Sequence, residues 1–125
     1  MEKLFILLII ICYTTGCQTR RPNLALSTYK YDFGITEPNQ QYEGAVVLLN
    51  CGTAELKIEA VNSGCGCTSV YYSKDIIAPN DTCVLNFIYD TTNKIGDQTQ
   101  YITIIANTDS LVHLFKFSTC VEAWD

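Results

Sequence analysis

From residue 28 onward, apolar and polar residues alternate in short runs that are separated by turn-forming residues. Leu56, Ile58 and Ala60, for example, alternate with Lys57 and Glu59, which gives a strand one apolar and one polar face. Similar or more continuous apolar runs occur at residues 29–33, 44–49, 70–72, 83–89, 101–106 and 111–121. This pattern predicts an all-β fold, an immunoglobulin-like antiparallel β-sandwich of about seven strands. A small barrel is the second choice.

The N-terminal residues have a different pattern. Residues 4–13 form an unbroken apolar run of about ten residues, whereas a membrane-spanning helix needs roughly 20. The length is therefore typical of the core of a signal peptide. Gly16 directly before Cys17 resembles the lipobox of bacterial lipoproteins, although Thr14 stands where that motif usually has Leu. In lipoproteins this Cys receives a diacylglycerol and becomes the new N-terminus after cleavage.

These motifs divide the chain into three parts: a lipoprotein signal peptide (1–16), a lipidated N-terminus with a short tether (17–27) and the β-sandwich domain (28–125). Acyl chains on Cys17 would hold the domain at a lipid bilayer, since each buried methylene contributes about 0.8 kcal/mol. No acidic run follows Cys17, so we expect a membrane-anchored lipoprotein of the bacterial cell envelope that faces the periplasm. A plain secretory signal or an uncleaved anchor is the alternative.

Charge and composition exclude several classes of function. The formal net charge is −5, and no Lys/Arg cluster follows Arg20 and Arg21, which argues against nucleic acid as a partner. The only His is His113, in an alternating strand pattern that indicates a packed or half-exposed strand residue rather than a ligand. No nucleophile-elbow motif or glycine-rich phosphate loop occurs. We therefore expect neither an enzyme nor a bound cofactor.

Several segments together resemble a known family. They include a Tyr-Asp-Phe-Gly segment, an Asn-Cys-Gly-Thr segment and a Cys-Gly-Cys-Thr segment, and lie at residues 31–34, 50–56, 63–68, 77–81, 89–91 and 103–108. Their order and spacing resemble domain-of-unknown-function family 1573, whose members are frequent in Bacteroidetes and are often lipoproteins. The resemblance implies an immunoglobulin-like domain of the pilus-chaperone and major-sperm-protein type, and it implies no activity. Cys51, Cys83 and Cys120 depart from the family pattern.

The cysteines allow several arrangements. Of seven, Cys12 leaves with the signal peptide and Cys17 carries lipid, so an odd number remains. Immunoglobulin topology makes Cys51 and Cys83 a candidate disulfide, which would add roughly 3–4 kcal/mol of stability on the chain-entropy model. A bond from Cys120 to Cys65 or Cys67 also fits this topology. Alternatively, Cys51, Cys83 and Cys120 are small buried apolar side chains.

Cys65-Gly66-Cys67 is the one constellation that could carry chemistry. It follows a predicted strand, and Gly66 lets the chain turn tightly between the two sulfur atoms. Two thiolates suit Cu(I) or Zn(II), a bond between them would make a redox pair, and a third interpretation is a purely structural turn. No Lys, Arg or His lies within five residues on either side to lower a thiol pKa.

Two hypotheses of function follow. The main one is a non-enzymatic, membrane-tethered module that binds an envelope protein partner or has a structural role, because such sandwiches offer edge strands and end loops to partners. The competing one is metal binding or redox exchange at Cys65 and Cys67. Accessible Cys65 and Cys67 would favour thiol chemistry, whereas an exposed apolar sheet edge would favour a partner.

Overall fold

The computed structural model describes residues 20–123, which form two β-sheets packed face to face. The predicted signal peptide and Cys17 lie outside the described residues. The nine strands of this region are β1 Leu24–Leu26, β2 Lys30–Thr36, β3 Gln41–Asn50, β4 Leu56–Ser63, β5 Thr68–Tyr72, β6 Ile76–Ile77, β7 Thr82–Asp90, β8 Gly96–Ala106 and β9 Val112–Val121. Within residues 20–123 no helix is long and apolar enough to cross a membrane.

The sheet topology confirms the predicted sandwich. One sheet has the order β1-β3-β7-β5 and the other β2-β9-β8-β4-β6. All neighbouring strands are antiparallel except β2 and β9, which are parallel because the chain changes sheets between β1 and β2. The count of nine exceeds the predicted seven, since β1 and β6 have three and two residues and are too short to show a periodic pattern.

Alternation in the sequence places the core between the sheets. Phe87 of β7 is fully buried at its centre and stacks on Phe117 with ring centroids 5.0 Å apart. Tyr31 and Phe33 of β2 contact the Phe87 ring edge-on, with ring centroids 5.7 and 5.8 Å from its centroid. Gly44, on the neighbouring strand β3, leaves room for Phe87, because a Cβ at this position would collide with the ring. An aromatic cluster of this kind joins the two sheets more specifically than aliphatic packing alone.

The folded domain begins earlier than the predicted boundary at residue 28. Leu24 and Leu26, which the sequence analysis placed in the tether, are buried in the core as part of β1. The N–H of Ser27 donates to the carbonyl of Val47 at 2.9 Å and continues this pairing. A three-residue strand carries too little periodicity to be separated from a linker by sequence alone.

Loops at the two ends of the sandwich are named here for later use. The near end consists of residues 20–23 and of the loops at 51–55, 73–75, 78–81 and 107–111. The far end consists of the loops at 37–40, 64–67 and 91–95. Because neighbouring antiparallel strands alternate in direction, the described chain enters the domain at the near end, and the Cys-Gly-Cys loop lies at the far end.

Candidate functional site

Cys65 and Cys67 form a disulfide bond in the turn between β4 and β5, with their Cα atoms 5.1 Å apart. The N–H of Cys67 points at the sulfur of Cys65 over 3.2 Å. The Ser63 hydroxyl lies 3.2 and 3.0 Å from the carbonyls of Cys65 and Thr68, and the N–H of Asp90 donates to the Cys67 carbonyl at 2.9 Å. The loop is thereby built into β4 on one side and β7 on the other.

This arrangement weighs against metal binding at the loop. A metal ligand or nucleophile must be a thiolate, and the two sulfur atoms are bonded to each other instead. In the stretch from residue 20 to 123, no group of three or more His, Cys, Asp or Glu side chains is placed to hold a metal ion. Both cysteines are half-buried, and Cys67 packs against the core. The metal-binding form of the thiol alternative is therefore not favoured, and the redox form gains no support because neither cysteine is fully exposed.

The candidate disulfide between Cys51 and Cys83 is not formed, and both residues are free cysteines. The register pairs Cys83 with Leu48, so Cys83 faces the core at 3% exposure. Cys51 lies beyond the end of β3, where its exposed thiol is 3.6 Å from the Asn23 carbonyl. The prediction identified the correct end of the sandwich, but strand neighbours alone do not say which face a side chain takes.

Cys120 is also free, so the bond to Cys65 or Cys67 is absent. It lies on the outer face of β9, opposite Asp97. Burial raises the pKa of Cys120, and the carboxylates of Asp97 and Glu122 raise it further. A thiol with a raised pKa is a poor nucleophile at neutral pH.

His113 is a half-buried residue of β9, as predicted. Its Nε2 atom is 2.7 Å from the hydroxyl of Thr108, within the β8–β9 hairpin. Burial lowers the pKa of His113, although a hydrogen bond that the ring donates to the Ser110 backbone opposes this. The side chain is thus part of the hairpin packing.

The family-like motif at Asn50 has a structural role that sequence reasoning missed. The buried Asn50 amide donates to the carbonyls of Ala54 at 2.7 Å and Ile77 at 2.9 Å. Its oxygen accepts from the N–H of Asn23 at 3.3 Å and of Gly52 at 3.0 Å. One side chain therefore joins residue 23, the loop at 51–55 and strand β6. The Asn-x-Gly spacing is the signal in the sequence, since an Asx turn reaches the N–H two residues on.

Thr91 and Asn107 organise other loops in the same manner. The buried Thr91 hydroxyl donates to the carbonyl of Glu37 at 2.7 Å and accepts from the N–H of Gln40 at 3.0 Å. Asn107 accepts from the N–H of Lys57 at 2.7 Å. Most polar motif residues thus hold loops in place. Thr68, which follows the disulfide, carries the only buried side-chain oxygen in the described range that has no partner.

Strand β5 is an open edge beside the disulfide loop. It pairs only with β7, at the margin of its sheet. Because the Asp90 N–H donates to Cys67, residues 67, 69 and 71 direct their main-chain groups toward β7. The N–H and C=O groups of Val70 and Tyr72 therefore point away from the sheet. On the outer face, Tyr71 is 46% exposed and donates to the Glu43 carboxylate, which raises the pKa of Tyr71.

Three other edge strands of the described domain are better protected, whereas residues 41–46 of β3 lie beyond the part that β1 and Ser27 cover. Strand β2 carries Lys30 and Asp32 and a register shift near Gly34, whose φ is 74°. Such charges and irregularities hinder pairing with another chain. β1 and β6 are very short. β5 has the sequence TSVYY without Lys, Pro or bulge, and thus lacks these protective features.

Comparison with known protein families shows which family the chain belongs to. A profile of the family described as "Protein of unknown function (DUF1573)" matches residues 24–121, and the chain belongs to this family. No curated protein sequence matches it significantly.

Solved structures share the fold at low sequence identity. A protein of unknown function from Porphyromonas gingivalis has a TM-score of 0.72 and 16% identity over 83% of this chain and 50% of that one. The chain thus spans half the length of that protein. A PapD-like domain of human CEP192 has a TM-score of 0.69 and 13% identity over 86% of this chain and 91% of that one. The secreted serine protease VesC from Vibrio cholerae has a TM-score of 0.59 and 12% identity over 86% and 24%. The domain is therefore a PapD-like, immunoglobulin-like β-sandwich.

Proposed function

We propose that the chain is an exported lipoprotein whose β-sandwich is a non-enzymatic binding module. Diacylglycerol on Cys17 holds it at the periplasmic face of a membrane. The module binds an extended segment of an envelope protein along the free edge of β5. The observation that carries this proposal is the open β5 edge, with outward main-chain groups at Val70 and Tyr72. Strand addition gains its affinity from main-chain hydrogen bonds and its selectivity from neighbouring side chains.

The surroundings of β5 support this role. The disulfide loop and Ser63 fix the start of the strand, so little conformational entropy is lost when a partner pairs with it. Tyr71 offers a half-exposed aromatic side chain beside the edge, and such residues are frequent anchors in interfaces. In VesC the matched fold makes up a quarter of a longer chain, which is consistent with a separable accessory module.

A photo-crosslinking residue at Ser69, installed in cells of the source bacterium, tests partner capture. Val70→Pro removes one outward N–H while it leaves the hydrogen bonds to β7 intact, and proline is tolerated at such edge positions. We expect this variant to lose most of the crosslinked product. Ala45→Pro is the control for the loss of one outward N–H, because β1 and Ser27 cover only residues 47–50 of β3 and the Ala45 N–H also points to open space. It should keep the product. Since the Val70 side chain packs against the core and Ala45 is exposed, the unfolding midpoint of each variant is measured as well.

Two outcomes would contradict strand addition at β5. One is a folded Val70→Pro variant with an unchanged crosslinking yield. The other is equal loss in both proline variants, which would indicate general destabilisation. Lipidation is tested separately by the intact mass of protein extracted from its own membrane. We expect the mass of a chain that begins at Cys17 plus diacylglycerol, and no diacylglycerol in Cys17→Ser.

A further inference from the structure

The chain is already fastened to the domain before β1 begins. The carbonyl of Arg21 accepts from the N–H of Thr53 at 2.7 Å and of Ala54 at 3.3 Å. The carbonyl of Asn23 accepts from the N–H of Cys51 at 2.9 Å. The Arg21 guanidinium also pairs with Asp109 at 3.0 Å, in the hairpin between β8 and β9. Residues 21–23, called here the N-terminal segment, are therefore part of the folded near end.

This attachment leaves very little free chain between lipid and domain. Only Gln18, Thr19 and Arg20 separate Cys17 from Arg21. Four residue steps reach at most about 14 Å when fully extended. The headgroup region is itself about 5–8 Å thick on each side of the hydrocarbon core. With Cys17 at the bilayer surface, the near end has almost no room to turn away from it.

The near end carries apolar side chains suited to this position. Leu111 and Val112, beside the Arg21–Asp109 pair, are 60% and 53% exposed. Ile76, which follows the near-end loop at 73–75, is 50% exposed. Aliphatic side chains at the boundary of headgroups and acyl chains are removed from water, which adds to the membrane affinity of the acyl chains.

We propose that the near end rests directly on the phospholipid bilayer that holds the acyl chains, with Leu111 and Val112 at headgroup level. The far end and the disulfide loop then face away from the membrane. Strand β3 has ten residues, so the far end lies roughly 30 Å farther out. This orientation rests on the proposed lipidation of Cys17. In this orientation the domain is attached to the bilayer almost rigidly, and not through the flexible tether that the sequence predicted.

Spin labels at two equally exposed positions test the orientation. Leu111→Cys reports on the near end and Ile95→Cys on the far end, and the native side chains are 60% and 64% exposed. Both variants also carry Cys51→Ser and Cys120→Ser. The one native free thiol left in the described domain is then Cys83, which is buried, so the label attaches to the introduced cysteine. Full-length lipidated protein is placed in phosphatidylethanolamine and phosphatidylglycerol vesicles. Collision rates with oxygen, which enters bilayers, and with a water-soluble nickel complex give the depth of each label.

We expect the oxygen-to-nickel collision ratio to be several-fold higher at position 111 than at position 95. Equal ratios, in protein whose mass shows acylated Cys17, would overturn the orientation and leave the lipoprotein proposal standing. A mass without acylation would overturn both. If Leu111→Cys does not fold, Val112→Cys takes its place with the same expected result.

Discussion

At the scale of single residues, the buried polar side chains determine how the loops are held. Asn50 makes four hydrogen bonds from a fully buried position, and three of its partners belong to loops of the near end. Main-chain groups that lose such a partner inside a protein cost more than the average hydrogen bond contributes. The near end should therefore depend on this one amide.

We expect Asn50→Ala to lower the free energy of unfolding by about 2–4 kcal/mol, because several buried main-chain groups lose their partner. Urea denaturation followed by circular dichroism measures the effect. Asn62→Ala is the matched control, since Asn62 is exposed on β4. It should change stability by less than about 0.5 kcal/mol. Similar losses in both variants would show that Asn50 has no special role.

The pKa of His113 gives a second prediction at this scale. Burial lowers the pKa of His113 in the folded chain, so the unfolded chain binds the proton more tightly. Its contribution to stability is complete above the unfolded pKa of about 6.5 and is lost as the pH falls through the lower folded value. Wild type should therefore lose more unfolding free energy between neutral and mildly acidic pH than His113→Gln. If the free energies of unfolding of the two proteins fell by the same amount over this pH range, the prediction would be wrong.

At the scale of elements, the sequence predicted the longer strands and not the shortest ones. Strand β4 was predicted from the alternation at residues 56–60, and β7 from the apolar run at residues 83–89. β1 and β6 depend on pairing with β3 and β4, which no local pattern contains. The candidate site shows the same limit. The turn at Cys65-Gly66-Cys67 was predicted from the sequence. The Cys51–Cys83 disulfide was predicted wrongly, because the face that Cys83 takes depends on the strand register, which only the folded sheet supplies.

The disulfide loop is expected to act as a structural clamp at the start of β5. Closing a three-residue loop contributes about 1–2 kcal/mol on the chain-entropy model, so Cys65→Ser with Cys67→Ser should destabilise the domain by this amount. Thermal unfolding measures it. Alkylation before and after reduction should add two labels that disappear in the double variant. Thiols at 65 and 67 that react without a reductant would contradict the clamp.

At the scale of the whole molecule, the N-terminal segment determines where the folded domain begins. The family match starts at residue 24, yet Arg21 and Asn23 complete the hydrogen bonds of the loop at 51–55. A soluble form that begins at Leu24 should thus be less stable than one that begins at Gln18, by about 1–3 kcal/mol, because the N–H groups of Cys51 and Thr53 lose their acceptors. Chemical denaturation of the two forms, which need no lipid, measures the difference. Equal midpoints would mean that the N-terminal segment is an ordinary linker. A clear difference would mean that folded chain begins at the N-terminal segment, separated by only three residues from the proposed lipid anchor at Cys17. Under that proposal, any partner on β5 would be met at a nearly fixed height above the membrane.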